Sequence, residues 1–418
     1  MEIAGELLTD PPTRALYATD ASPYQRLPLG VVRPRHRDDC IKLMQFAARH
    51  RIPLIPRGAG TSLAGQCVGE GLVVDLTHRM NRILAIDIDR RRARVQPGVV
   101  LTDLNDTLRP YGLRFAPDPS TANRCTIGGM VGNNAWGVHA VRDGTTRDSV
   151  EAIEALLSDG SPVWFGPLEE GERRQRLALP SREGEIYRTV CQLLEANLTR
   201  IRARYPGARG IPNNAGYALD VIARQQPWEP QGLPFNLAPL LCGAEGTLAL
   251  ITEVTVQLTT SPQSRVLICA HFHSLEEAMR GVEVAMRIAP AAVELLDRRV
   301  LELTRENPEQ SRHRFWIEGA PEAVLLIEFA GDDEGQLLMQ AQKLVDHYRV
   351  SVLGYAFSVL TGEEIDPVWE LRRAGLGLLM GMPGSRKAVS GIEDVAVRVT
   401  DLPRFTREAL ELTRSQGI

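Results

Sequence analysis

Three glycine-rich segments, Gly58 to Gly65, Gly128 to Gly137 and Gly243 to Gly246, each adjoin a run of strand-forming residues in the first 260 positions. Glycine lets a backbone come close to another backbone or to a bound group, because no Cβ stands in the way. In the first segment, Pro56, Arg57, Gly58, Ala59, Gly60, Thr61, Ser62 and Gly65 follow the apolar run IPLI. Backbone N–H groups and two hydroxyls there can turn towards an anion, with the arginine beside them. The segment matches neither G-x-G-x-x-G nor the P-loop, and taken alone it serves a tight turn as well as a phosphate.

The second segment begins at Pro117, Asp118, Pro119 and Ser120 and continues through Thr126, Ile127, Gly128 and Gly129 to Asn134, Ala135 and Gly137. Its small residues allow close approach to a flat ring, with Ser120, Thr126 and Asn134 as hydrogen-bond candidates. A compact loop explains the same composition. The third, Gly243-Ala244-Glu245-Gly246-Thr247-Leu248, opens the strand-like run LALITEVTVQL.

The 418 residues exceed one ordinary core, and two domains are expected, 1–260 and 261–418, divided at the turn-rich TTSPQS. In the first, strand, helix, strand is expected over 31–55, and short strands at 71–76, 83–89 and 93–99. A helix is predicted over 101–111 with Thr102 as its cap, a strand pair over 151–165, a surface loop over 162–175 and a helix over 185–204. In the second, strands at RVLICAHF, AAVELLD, AVLLIEFA, VSVLGYA and GIEDVAV alternate with helices, the last over 402–415. That alternation predicts an α+β sheet with helices on one face.

The 48 basic and 52 acidic residues are interspersed, which gives no reason to expect nucleic acid. Six cysteines lie far apart without a C-x-x-C pair, so no disulfide framework, zinc site or iron–sulfur site is signalled, and no metal ligands are expected within the chain. The N-terminus lacks the basic patch and apolar run of a signal peptide. A cytoplasmic protein is expected, or one peripheral at the inner membrane face.

In order and spacing, RGAGTSLAG (57–65), VQPGV (95–99), PDPST to TIGGMVGNNAWG (117–137), NAGYALD (214–220) and GAEGTLALITEVTV (243–256) resemble the FAD-binding domain shared by vanillyl-alcohol oxidase and p-cresol methylhydroxylase relatives. The branch resembled contains the D-lactate, glycolate and D-2-hydroxyglutarate dehydrogenases. The resemblance implies an α+β fold: a two-subdomain FAD-binding domain of the p-cresol methylhydroxylase type, followed by a C-terminal α+β substrate (cap) domain with an antiparallel sheet. It implies that the RGAGTS loop holds the FAD pyrophosphate, that PDPS and TIGG line the isoalloxazine, and that Gly246 to Ile251 lie against the adenosine half, with Glu245 also among the cofactor-binding residues. No histidine occupies the first loop, where some relatives carry a covalent link, so dissociable FAD is expected. Cys125 and His139 lie close by and are expected to be structural.

In WELRRAGLGLLMG, the resemblance makes Arg372 the clamp of a substrate carboxylate, a task suited to a bidentate guanidinium. In IEDVAV it places Glu393 and Asp394 near the ring or substrate. The usual proline is Arg398, and Lys387 stands in for a substrate-binding lysine. The implied reaction is hydride transfer from a D-2-hydroxy acid to flavin N5, with electrons passed to an iron–sulfur or quinone acceptor and a homodimer as one assembly. The alternatives are a non-catalytic FAD-holding electron-transfer subunit of a larger complex, and an FAD/NADPH enolpyruvyl-sugar-nucleotide reductase. Family members carry an H-x-G-x-G-x-x-H-like strand beyond the last helix. The chain ends before it, so the expectation is the flavoprotein part of a longer iron–sulfur-fused bacterial enzyme, with any metal or cluster in other segments and little turnover alone.

Overall fold

The structure is a computed structural model and describes residues 2–205, 207, 213, 216–382, 384 and 395–417. The chain divides into two compact units, Met1–Trp136 with Gly144–Ser261, and Gly137–Asp143 with Pro262–Ile418.

The first unit holds two principal sheets. In one, β1 (Glu6–Leu8) lies antiparallel to β2 (Gly30–Arg33), while β2 and β3 (Leu54–Arg57) both run parallel to β4 (Leu72–Asp75). Val31, Val32, Val73 and Val74 are fully buried, as expected of parallel strands covered on both faces. The helix Arg37–His50 connects β2 to β3, buries Cys40, Leu43 and Ala47, and ends at Arg51 in the left-handed conformation.

The other sheet has the order β5 (Ile83–Asp87), β6 (Arg92–Val95), β10 (Leu250–Gln257), β8 (Val150–Leu156), β9 (Pro162–Phe165), antiparallel throughout. β10 alternates buried and half-buried residues, the period-2 signature of a strand with one face on the core. β7 (Leu113–Arg114) pairs with β11 (Thr259–Thr260).

Three expectations for this unit are corrected. The helix expected over 101–111 begins after Val100, without a side-chain cap, and ends at Leu108 in a tighter turn, Arg109–Tyr111; Pro110 has no N–H to continue it. The loop expected over 162–175 contains most of a helix, Glu170–Ala178. Its Glu169/Glu172 capping box and the Glu170 ion pairs to Arg173 and Arg174 support a polar surface helix that apolar periodicity does not reveal. The helix expected from 185 begins at Arg182, capped by Ser181.

The second unit is built on one antiparallel sheet with the order β13 (Ala292–Asp297), β14 (Ala323–Gly331), β12 (Ser264–Phe272), β15 (Ala356–Thr361). Helices Leu275–Met286 and Glu334–Val350 pack on the face carrying Val266, Ile268, Leu325 and Ile327. Helices Arg298–Glu306 and Ile365–Met380 pack on the opposite face, over Leu267, Cys269, Val324 and Leu326. Helices therefore cover both faces rather than one, which is why β12 and β14 are buried along nearly their whole length.

The strand expected at VSVLGYA lies further on, at β15, because the preceding helix runs to Val350 and the chain turns through Val352 and Gly354 at positive φ. Of the strand expected at GIEDVAV, residues 391–394 lie outside the described residues, and Val395 to Val397 carry no regular structure. The final helix is Leu402–Ser415.

Candidate active site

β3 delivers Arg57 to the edge of its sheet, and the chain then enters the first glycine loop. A Cβ on Gly58 would overlap the Thr126 hydroxyl, and one on Gly128 would overlap the Pro97 ring, with Pro97 Cα and O at 3.0 Å. The helix Ile127–Asn133 is capped by Thr126, whose Oγ1 accepts from Gly129 N at 3.4 Å. The third loop lies along this helix: Gly243 N donates to Val131 O and Glu245 N to Gly132 O, both at 2.9 Å. Gly246, at φ 78°, would bring a Cβ to 3.0 Å from Pro56 Cγ. Gln66 Nε2 donates to Glu245 Oε1 at 3.0 Å and ties the first loop to the third.

Three loops far apart in sequence thus meet around a groove of about 90 Å³. Its walls include Pro56, Arg57, Gly58, Ser62, Thr126, Gly128, Gly129, Glu245, Gly246 and Ile251. A larger polar cavity of about 450 Å³ shares Arg57, Gly58 and Thr126 with it and adds Ala59, Tyr17, Asp75, Thr77, Asn81, Asp103 and Arg124. That volume is in the range of small-molecule and cofactor sites. The donor set fits a dinucleotide: backbone amides bared by glycine, hydroxyls and one arginine, in a groove whose width depends on missing Cβ atoms.

Other residues singled out from sequence lie off these walls. Gly60 and Gly65 shape the loop at φ 67° and 85°, and Thr61 lies in the same loop, but the three do not line either cavity. Ile127 is fully buried in the core. Asn134 is fully buried too, and its Oδ1 accepts the Arg147 backbone N–H at 2.8 Å, which commits that oxygen to holding a corner of the fold. Pro117, Asp118, Pro119, Ser120 and Ala135 lie outside both linings, and Gly137 falls in the second unit. Cys125 is buried in the core, and burial pushes its thiol up to about 11.

Conversely, Tyr17, Asp75, Asn81, Asp103 and Arg124 line the larger cavity without having been foreseen. Asp75 carried the one available signal, a carboxylate ending the apolar run GLVVDL.

In the second unit, Arg372 lies on the helix Ile365–Met380. It donates from Nε and Nη2 to Glu294 Oε2, at 2.8 and 2.7 Å. Arg373 is exposed. One turn before Arg372, Trp369 Nε1 donates to Glu328 Oε2 at 2.7 Å, while His139 Nε2 lies 2.9 Å from Glu328 Oε1. Glu328 is fully buried. Because Glu294 pairs with Leu326 across β13 and β14, and Ala292 with Glu328, both carboxylates project from one face of the sheet. Lys387, Glu393 and Asp394 lie outside the described residues. Among the described residues there is no cluster of His, Cys, Asp or Glu able to hold a metal, and no helix is long and apolar enough to cross a membrane.

The first unit is thus a two-sheet domain whose glycine loops meet at a groove fit for a dinucleotide, and the second an antiparallel sheet that carries a half-buried network of paired side chains, features expected of a flavin-binding oxidoreductase. Comparison with known proteins bears this out: residues 28–166 match the model of the FAD binding domain, and residues 261–418 that of the C-terminal domain of FAD linked oxidases. The chain belongs to the FAD-linked oxidases, and FAD is its cofactor.

Among curated proteins it is 32% identical to a D-2-hydroxyglutarate dehydrogenase of Pseudomonas putida, in a match covering 99% of this chain and 41% of that protein. It is 28% identical to the glycolate oxidase subunit GlcD of Bacillus subtilis, over 97% and 72%, and to a D-lactate dehydrogenase of Archaeoglobus fulgidus, over 93% and 71%. The chain therefore spans about two fifths of the length of the dehydrogenases it matches first. Among solved structures, alkyldihydroxyacetonephosphate synthase shares the fold, with a TM-score of 0.62 at 15% identity, covering 90% of this chain and 65% of that one.

Proposed function

We propose that this chain is the flavoprotein part of a dehydrogenase that oxidises a D-2-hydroxy acid, of the D-2-hydroxyglutarate, D-lactate or glycolate class, to the 2-oxo acid. The observation that carries the reading is the 32% identity to D-2-hydroxyglutarate dehydrogenase along 99% of the chain, glycine loops and Arg372 helix included. FAD, when bound, supplies a two-electron acceptor for the hydride on the acid's α-carbon.

The chain's own residues hold the reactants. The three glycine loops seat the dinucleotide, with Arg57 offsetting diphosphate charge. Arg372 binds the substrate carboxylate: Glu294 occupies the Nε and Nη2 donors and fixes the plane of the guanidinium, leaving other N–H groups for the ligand. The resemblance assigns Lys387 as a second cation for the substrate and Glu393 a catalytic role; both lie outside the described residues. Since no histidine lies in the first glycine loop, the FAD is dissociable. Electrons leave to an iron–sulfur or quinone acceptor.

The test begins with the visible spectrum of the purified chain, repeated on the supernatant after heat denaturation, and continues with anaerobic titration by D-2-hydroxyglutarate, D-lactate and glycolate. Flavin bands that move wholly into the supernatant, and bleaching by one of these acids, are the expected results. Arg372→Met should lower the second-order rate constant of that bleaching about thirtyfold, the scale of a lost charge-assisted hydrogen bond. Bleaching by NADPH and by no hydroxy acid would replace this reading with that of a nicotinamide-dependent reductase.

A further inference from the structure

The chain segment from Tyr17 to Tyr24 closes over the first glycine loop at five points. The Tyr17 ring lies under the Arg57 guanidinium, with Cζ 5.3 Å from the ring centroid. Arg57 Nη2 donates to Thr19 O at 2.8 Å. Ala21 N donates to Gly60 O at 3.1 Å. Cys67 N, at the far end of the loop, donates to Asp20 Oδ2 at 3.3 Å. Gly65 lies so close to the Tyr24 ring that a Cβ there would come within 2.7 Å of it.

The strap is itself anchored. Tyr17 OH donates to Asp75 Oδ2 at 2.6 Å and accepts from Arg33 Nη2 at 3.1 Å, and Ala18 is 1% exposed. Its Tyr17 end thus rests on β2 and β4, and β4 also pairs with β3, which leads into the loop.

Arg57 gives this arrangement a direction. Among the described residues no carboxylate lies within ion-pair distance of it; its donors go to the neutral carbonyls of Thr19 and Cys67. The guanidinium lines both the groove and the larger cavity. A charge held by carbonyls and a ring face, rather than by a direct ion pair, remains available to an anion in those cavities. A strap that only packed the terminus would have no reason to carry its contacts onto Arg57, Gly60, Gly65 and Cys67, all within the loop that wraps the cofactor.

We propose that residues 17–24 form part of the FAD site: Tyr17 is a positioning residue that holds Arg57 towards the diphosphate, and the strap orders the glycine loop before the cofactor arrives. This rests on FAD binding in the groove. Ordering a loop in advance removes a cost that binding would otherwise bear, so the strap raises affinity through the order it imposes on the loop.

The experiment uses the full chain, stripped of flavin and titrated with FAD, with hydrogen exchange read at the amides of residues 57–67. Tyr17→Leu should weaken FAD binding about tenfold, the scale of one cation–π contact together with the loop order it imposes. In the apoprotein it should speed exchange at loop amides, and saturating FAD should restore protection. Tyr17→Phe keeps the ring and should stay within about threefold of the parent, since the contact to Arg57 survives. Asp20→Ala, which frees the far end of the loop, should reproduce the exchange change if Tyr17→Leu does not fold.

A Tyr17→Leu protein with lowered apoprotein Tm but parental FAD affinity would overturn the proposal and leave the strap a packing element. A parent chain that binds no FAD at all would instead sink the reading of the groove.

Discussion

The two units build polar sites in opposite ways. In the first, the groove exists because atoms are missing: Gly58, Gly128 and Gly246 let Thr126, Pro97 and Pro56 approach where a methyl group would collide. In the second, the network exists because charged side chains are present and answered: Glu328 by Trp369 and His139, Glu294 by Arg372. The first site should therefore break when an atom is added, and the second when a charge is left without a partner.

The largest effect belongs to the second kind. Glu328→Ala leaves the Trp369 indole N–H without its acceptor and His139 without its carboxylate in a region closed to water. The expected cost is about 3 kcal/mol, the scale of a buried donor left unsatisfied together with a lost buried hydrogen bond. Glu328→Gln preserves an acceptor for Trp369 and should cost less than half as much. Chemical denaturation followed by tryptophan fluorescence measures both, and FAD content measures the first unit separately. The contrast predicts that FAD content holds while stability falls. Loss of FAD from Glu328→Ala with stability unchanged would dissolve the distinction between the units.

An added atom comes next. Gly128 lies in the helix Ile127–Asn133, where alanine propensity alone would favour replacement, yet the new methyl would run into the ring and backbone of Pro97. Gly128→Ala should lose about 2 kcal/mol of stability by overpacking and loosen FAD binding with it. Gly171 provides the control: it lies in the helix Glu170–Ala178 with nothing near its missing Cβ. Gly171→Ala should gain up to about 1 kcal/mol from helix propensity and leave FAD binding unchanged. Equal effects at the two glycines, read by thermal melting and FAD titration, would mean that the groove does not depend on close approach.

This contrast also explains what could be read in advance. A site made from absent side chains leaves a local mark, so Arg57, Gly58, Gly128 and Gly246 stand out in the sequence and prove to meet in space. A network made from pairs leaves none: Glu294, Glu328 and His139 are separated by long stretches of chain, and only the β13–β14 register brings the two carboxylates to one face. The strap escaped notice for the same reason. Nothing local in ALYATDASPY tells that Tyr17 lies under Arg57.

At the level of the fold, alternating apolar runs located β10, β12 and β14. The pattern failed where polar contacts do the stabilising, as in the helix Glu170–Ala178. It also failed at Val350 to Tyr355, where an apolar stretch ends a helix and turns rather than pairing. Helices on both faces of the second sheet were missed although RVLICAHF and AVLLIEFA, apolar almost without interruption, already carried that information.

The smallest effect sharpens the comparison by adding pH. His271 on β12 is fully buried, with Nδ1 3.3 Å from Ala356 O and Nε2 accepting from Glu318 N at 3.1 Å. Burial lowers its pKa from the ordinary value, outweighing the carbonyl of Ala356 and the charge of Glu318, which pull the other way. The folded protein therefore keeps this ring neutral at a pH where the unfolded chain has already bound a proton. Its contribution is fully present above the unfolded value of about 6.5 and is lost progressively as pH falls from there towards the lowered native value. The chain should melt at a lower temperature at about pH 5.5 than at about pH 7.5, and in His271→Gln, which cannot titrate, part of that difference should disappear. A pH dependence identical in parent and variant would show that this buried ring does not report on acid.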